Sequence, residues 1–159
     1  VYTTGHVYRG DDDRLWLAPR GFDWENMAET GVSLEWLADQ IESSGGAEKT
    51  WLLDVTHDGN GRDLQRQPDG AALLATLGKR LKTTTVIASC GDGQKGLADP
   101  QRRHGLFAWH IANGFRGLAD TDADGHISGT ELFDHLGDAL RKDGGRLGGV
   151  QSPVRAGPR

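Results

Sequence analysis

The sequence predicts an α/β fold on a mostly parallel sheet, and three observations predict it. Short β-branched and aliphatic runs alternate with runs of helical period; their order reads β-α-β-α-β; and the spacers between strands are long enough for the crossovers that parallel neighbours need. A length of 159 residues with 36% hydrophobic content suffices for one domain with a substantial core and is short for two, so residues 1–159 are read as one domain.

Val1 to Tyr8 and Leu15 to Ala18 are strand-like runs, with Asp11, Asp12 and Asp13 between them as a solvated turn. Ser33 then caps a helix whose Leu34, Leu37, Ala38 and Ile41 share one face, and Ser43, Ser44, Gly45 and Gly46 stop it. Thr50 to Val55 reads as a buried strand. Asp69 is placed to cap a second helix with Leu73, Leu77 and Leu81 on one face, and Thr84 to Ser89 is a further β-branched strand. Thr56 and Cys90 therefore fall near the carboxyl edge of the sheet, where ligands of open α/β folds bind. Leu106, Phe107, Ile111 and Phe115 ahead of an acidic loop, and Leu132, Phe133, Leu136 and Leu140 after it, predict a helix-loop-helix over residues 105–142. The stretch from Gly144 onward is Gly-rich.

Charge and cysteine usage narrow the function classes. A net charge of −5 and a pI near 5.6, with Lys and Arg spread thinly, argue against a surface that tracks nucleic-acid phosphates. A single cysteine excludes an internal disulfide, a CxxC redox pair and a Cys-rich zinc site, and Cys90 reads as a buried structural residue. The absence of an apolar run of membrane length points away from the membrane, and the chain is read as cytoplasmic.

Two short stretches carry a resemblance. Thr4-Gly5-His6-Val7, and Trp51-Leu52-Leu53 leading into Asp54-Val55-Thr56-His57-Asp58-Gly59, resemble the caspase and metacaspase superfamily, in which one strand ends in Gly-His and a later strand enters an Asp-Ala-Cys-His-Ser-Gly-like turn. Ala88-Ser89-Cys90-Gly91-Asp92-Gly93-Gln94 followed by Ala98-Asp99, then His104-Gly105-Leu106-Phe107 and Gln151-Ser152-Pro153, resemble later segments of metacaspases in the same order. The resemblance implies a caspase-like sheet flanked by helices, with the chain beginning inside the Gly-His strand. The sheet would then lack its first strands, to be completed by an upstream segment or another chain. It implies His6 as the general acid or base and Thr56 at the position of the family cysteine. It also implies Asp54 at the floor of a pocket that takes an Arg or Lys side chain.

Physical chemistry agrees with the role implied for Asp54, because a carboxylate in a partly desolvated cleft pairs well with a guanidinium. It disagrees for Thr56. A threonine hydroxyl needs a tightly coupled base and usually works as an N-terminal residue beside its own amine, so Thr56 reads as a β-branched residue ending a strand. Val7, in place of a second glycine, crowds the pattern further.

The loop Asp120 to Glu131 fits the twelve-residue calcium loop of EF-hands. Acidic side chains stand at positions one, three and five (Asp120, Asp122, Asp124), Gly125 at six, Ile127 at eight and Glu131 at twelve. His126 would add its carbonyl, Ser128 a direct or water-mediated contact, and Glu131 both carboxylate oxygens to a Ca²⁺ ion. The plain alternative is an Asp-rich turn that caps the next helix through Ser128. Asp11, Asp12 and Asp13 with Asp63 form a second acidic cluster that resembles a metacaspase calcium region.

Three functions remain open at this stage. The first is a proteolytically degenerate caspase-like domain that binds or regulates, responds to Ca²⁺ and engages basic peptide or protein segments. The second is a working peptidase that cuts after Arg or Lys, and the third a calcium-binding structural module.

Overall fold

The structure is a computed structural model that describes residues 1–55, 68 and 70–158. Thr56, His57, Asp63 and Asp69, each singled out by the sequence, lie outside the described residues.

In chain order the strands are β1 (Tyr2–Thr4), β2 (His6–Arg9), β3 (Leu15–Ala18), β4 (Val32–Ser33), β5 (Lys49–Asp54), β6 (Thr84–Ala88), β7 (Ala98–Asp99), β8 (His104–Gly105) and β9 (Val154–Ala156). Five α-helices stand among the described residues: α1 (Met27–Thr30), α2 (Leu34–Ser43), α3 (Gly70–Gly78), α4 (Leu106–Asn113) and α5 (Gly129–Arg146). The main sheet has the order β1-β5-β6-β9, parallel across β1, β5 and β6 and closed by the antiparallel β9. The fold is thus α/β with a mostly parallel sheet, as the alternation of periods predicts. No helix among the described residues is long and apolar enough to cross a membrane.

Side chains alternate across a strand, and β5 and β6 bury both sets. On one face Trp51, Leu53, Val86 and Ala88 meet Leu34, Ala38 and Ile41 of α2 and Leu73, Leu74 and Leu77 of α3, in a core that Val7 and Leu15 extend. On the other, Leu52 and Ile87 meet Leu106, Phe107 and Ile111 of α4 and Leu132, Leu136 and Leu140 of α5. This two-sided burial is why the strands read as continuous apolar runs.

The run Val1 to Tyr8 is two strands rather than one. Gly5, at φ +150°, breaks it: β1 joins the main sheet, while β2 leaves to pair antiparallel with β3, which pairs in turn with β4. Helix α3 ends at Gly78, before Leu81, although Leu81 remains buried. Helix α4 ends at Asn113 and gives way to a wide π-type turn, Gly114–Leu118, through Gly117 at φ +107°. Phe115 is therefore 58% exposed instead of facing the core. Part of the Gly-rich tail forms β9 along β6.

Ser33 caps α2 as expected, accepting the Trp36 amide at 3.1 Å. The first turn of α3 is capped from a distance, with Ala71 N donating to Asp92 Oδ1 at 2.7 Å.

Candidate functional site

The carboxyl edge of the sheet is assembled by the pairing of β1 with β5. Thr4 stands opposite Asp54, and the ladder runs one step further as Gly5 N donates to the Asp54 carbonyl at 3.3 Å. His6 follows directly, at the start of β2. Of the three cleft residues named from the sequence, His6 and Asp54 are thus brought to one edge, and Thr56 lies outside the described residues.

Asp54 is 6% exposed. Its Oδ2 accepts the Tyr2 hydroxyl at 3.1 Å. Burial of the phenol, and next the charge of Asp54, push the Tyr2 hydroxyl up to about 12, so Tyr2 stays a neutral donor to the carboxylate at physiological pH. Gly105, at the entry to α4, passes close by: a Cβ there would lie 4.0 Å from Asp54 Oδ2. His6 is exposed, and its ring lies nearly parallel to that of Tyr8 at 6.2 Å between centroids.

Next along the edge, β6 runs into Ser89 and Cys90, both with no exposed surface. Cys90 is buried, as the sequence suggests. Gly70 packs so tightly over it that an added Cβ would sit 2.2 Å from the Cys90 carbonyl oxygen. The thiol itself has no exposed surface, lies 3.7 Å from the Ser89 hydroxyl, and takes the place of a small core residue.

The acidic loop forms a second locus. Carboxylate oxygens of Asp120, Asp122 and Asp124 lie within 4.8 Å of one another. The backbone curls to bring them there, with Ala123 at φ +60° and Gly125 at φ +83°. Asp120 accepts the amides of Asp124 at 3.2 Å and Gly125 at 3.0 Å, and Asp124 accepts that of His126 at 2.7 Å. Ile127 packs against the second core and anchors the loop.

Glu131 is occupied otherwise. Its Oε2 accepts the Ser128 amide at 2.9 Å and hydroxyl at 2.8 Å, and its Oε1 accepts the Thr121 amide at 2.9 Å and hydroxyl at 3.0 Å. Ser128 Oγ in turn accepts the Glu131 amide, which completes a capping box on α5. The bonds from Ser128, and then those from Thr121, hold the Glu131 carboxyl down at about 2. Of the six metal ligands named from the sequence, three aspartates converge; Ser128 and Glu131 form the cap, and the exposed His126 lies in the same curl.

One cluster was missed by sequence reasoning. Asp99, at 1% exposure, accepts Arg146; Asp143 accepts Arg102 and also His110 Nε2, the latter at 3.0 Å. This network ties the β7–β8 hairpin to α4 and α5. A signal was present, because Asp143 continues the apolar stripe Leu132, Leu136, Leu140 at helical spacing, and His110 sits between Phe107 and Ile111 on the buried face of α4. A carboxylate on an apolar stripe requires a buried partner.

Compared with known proteins, the chain matches no family model and no curated protein.

Proposed function

We propose that this chain is a caspase-like domain that has lost proteolysis and acts by binding basic peptide segments at the carboxyl edge of its sheet, in the cytoplasm. The observation that carries the reading is Asp54: a carboxylate only 6% exposed, at the end of β5, beside the Gly5-His6 pair. A carboxylate so placed, at a strand end in a partly desolvated cleft, suits the paired N–H donors of a guanidinium or the charge of an ammonium group. The residue type at position 56 argues for binding over cleavage, because a threonine hydroxyl is a weak nucleophile without a strongly coupled base. At the margin of the strand order, β1 is where a further strand would add.

The test is calorimetric titration with short Arg- or Lys-bearing peptides, beside a turnover assay with fluorogenic peptides of the same type. Wild type is expected to bind without cleaving, and Asp54→Asn to weaken binding by about 2–5 kcal/mol. Equal affinity of the two proteins removes Asp54 from the role. Wild-type turnover that vanishes in Thr56→Ala makes the chain a working peptidase instead.

A second reading, a calcium-responsive element, is favoured by the convergence of Asp120, Asp122 and Asp124. Three carboxylates at that separation suit a hard cation with oxygen ligands, and Glu131 would join them by exchanging its capping bonds for the metal.

A further inference from the structure

At the amino end of the main sheet, opposite the cleft, the face that packs on α4 and α5 turns polar. Leu52 and Ile87 are the apolar residues of that face, and two positions earlier on each strand it carries Thr50 and Thr85, which stand opposite each other in the β5–β6 register. Arg155 on β9 pairs with Ile87 and so shares the same face. The first turn of α5 lies over this polar step: a Cβ on Gly129 would be 3.7 Å from Thr50 Oγ1. These residues line a cavity of about 400 Å³, to which Lys49 and Lys82 add their side chains.

The charge of this lining runs against that of the chain as a whole, which carries −5. Lys49, Lys82 and Arg155 stand against one carboxylate among the described lining residues, the exposed Glu48, and none of the three forms an ion pair among the described residues. Lys49 is held by the end of α2, its ammonium donating to the carbonyls of Glu42 at 2.6 Å and Ser44 at 3.1 Å. Arg155 is half-buried, with its guanidinium over the Phe133 ring at 4.6 Å. Its side chain makes a single long hydrogen bond among the described residues, 3.5 Å to the Thr130 hydroxyl, so most of its five N–H donors are unused. That contact also sets a positive charge beside the N-terminal end of α5, where the helix dipole favours an anion. The capping box engages the Ser128 and Glu131 amides and leaves those of Gly129 and Thr130 without an intrahelical acceptor. An anion in the cavity would relieve the juxtaposition of guanidinium and helix end.

We propose that this cavity binds a small molecule through its phosphate groups, with Arg155 and Lys82 as the charged ligands. The guanidinium offers paired donors that match two phosphate oxygens, and the ammonium of Lys82 acts as a point charge. The Thr50 hydroxyl and the first amides of α5 add neutral donors, whereas the Thr85 hydroxyl is spent on the Pro158 carbonyl at 2.9 Å. The volume suits a small molecule rather than a lone ion, since ligand pockets run to roughly 300–1,000 Å³. The site lies at the opposite end of β5 from Asp54 and is independent of the cleft.

The test is calorimetric titration of the chain with pyrophosphate, in metal-free buffer at an ionic strength fixed with sodium chloride. Wild type is expected to bind with a submillimolar dissociation constant, Arg155→Gln to weaken binding about tenfold or more, and Lys82→Gln to weaken it several-fold. Lys79→Gln removes an exposed lysine that lies outside the cavity and should leave the affinity unchanged. The unfolding midpoint without ligand reports whether each variant is folded. Should Arg155→Gln fail to fold, the exposed Lys82 decides alone. No binding by wild type at millimolar pyrophosphate, or wild-type affinity in a folded Arg155→Gln or in Lys82→Gln, overturns the site. An equal loss in Lys79→Gln overturns it as well, since the attraction would then belong to the surface charge at large.

Discussion

Gln151 has no exposed surface, and its amide joins two distant segments: Nε2 donates to the Ser89 carbonyl at 3.1 Å, and Oε1 accepts the Leu97 amide at 2.8 Å. Those partners lie 62 and 54 residues away in the chain, so no local pattern in the sequence announces the role. Gln151-Ser152-Pro153 was legible only as a resemblance. The side chain holds the turn after β6, next to Cys90, to the segment that leads into β9. Gln151→Leu conserves much of the volume but removes both hydrogen bonds in a buried site. Losing the two hydrogen bonds costs about 1–3 kcal/mol, to be read from urea denaturation of variant and wild type at unchanged m-value. A loss under about 0.5 kcal/mol, within the scatter of surface substitutions, would show that water or a shift of the chain replaces the amide.

At the scale of elements, sequence period and capping chemistry identified α2, α3 and α5, and they failed where the end of an element is set by tertiary packing. Gly114 is the example. It is buried where an added Cβ would lie 3.0 Å from Leu132 and 3.2 Å from His135, so the chain widens into a π-type turn and carries Phe115 outward. Nothing in the spacing of Leu106, Phe107, Ile111 and Phe115 signals that break. The helix-loop-helix is also where the acidic loop can be tested as an element. Ca²⁺ would relieve repulsion among Asp120, Asp122 and Asp124 and, by binding the folded state, stabilise it by about 2.7 kcal/mol at a hundredfold excess over its dissociation constant, which raises the unfolding midpoint. Mg²⁺ should do less, since it resists the coordination number that a bidentate Glu131 would bring. Glu131→Gln separates the contributions: it weakens the capping box without metal and should also cut the Ca²⁺-induced shift. Thermal melts with Ca²⁺, Mg²⁺ and chelator decide, and a midpoint unmoved at millimolar Ca²⁺ leaves the loop as a cap and turn alone.

At the scale of the whole molecule, the displaced histidine and carboxyl groups, those that titrate below about pH 7, share one direction, downward. His110 lies below its ordinary value near 6.5, because burial disfavours the imidazolium; the bond and charge of Asp143 oppose this, while Arg102 and the His135 ring, 6.2 Å away, reinforce it. Asp99 is lowered chiefly by Arg146, and Asp143 chiefly by Arg102. Glu42 would be raised by burial, but bonds from the Thr84 hydroxyl and from Thr83 outweigh that and bring it to about 2, level with Glu131. Every one of these groups binds its proton more readily in the unfolded chain, so stability must fall as pH falls. The His110 contribution is complete above about 6.5 and is lost as pH drops from there through its folded value. The carboxylate contributions are complete above about 4.5 and are lost towards about 2. The expected profile of midpoint against pH is flat above about 7, begins to slope gently as pH falls below about 6.5, and steepens below about 4.5. His110→Gln, which keeps a polar partner for Asp143 without titrating, should flatten the upper slope and leave the lower one. If the slope that sets in below about pH 6.5 survives that substitution unchanged, the histidine buried between α4 and α5 is not its source.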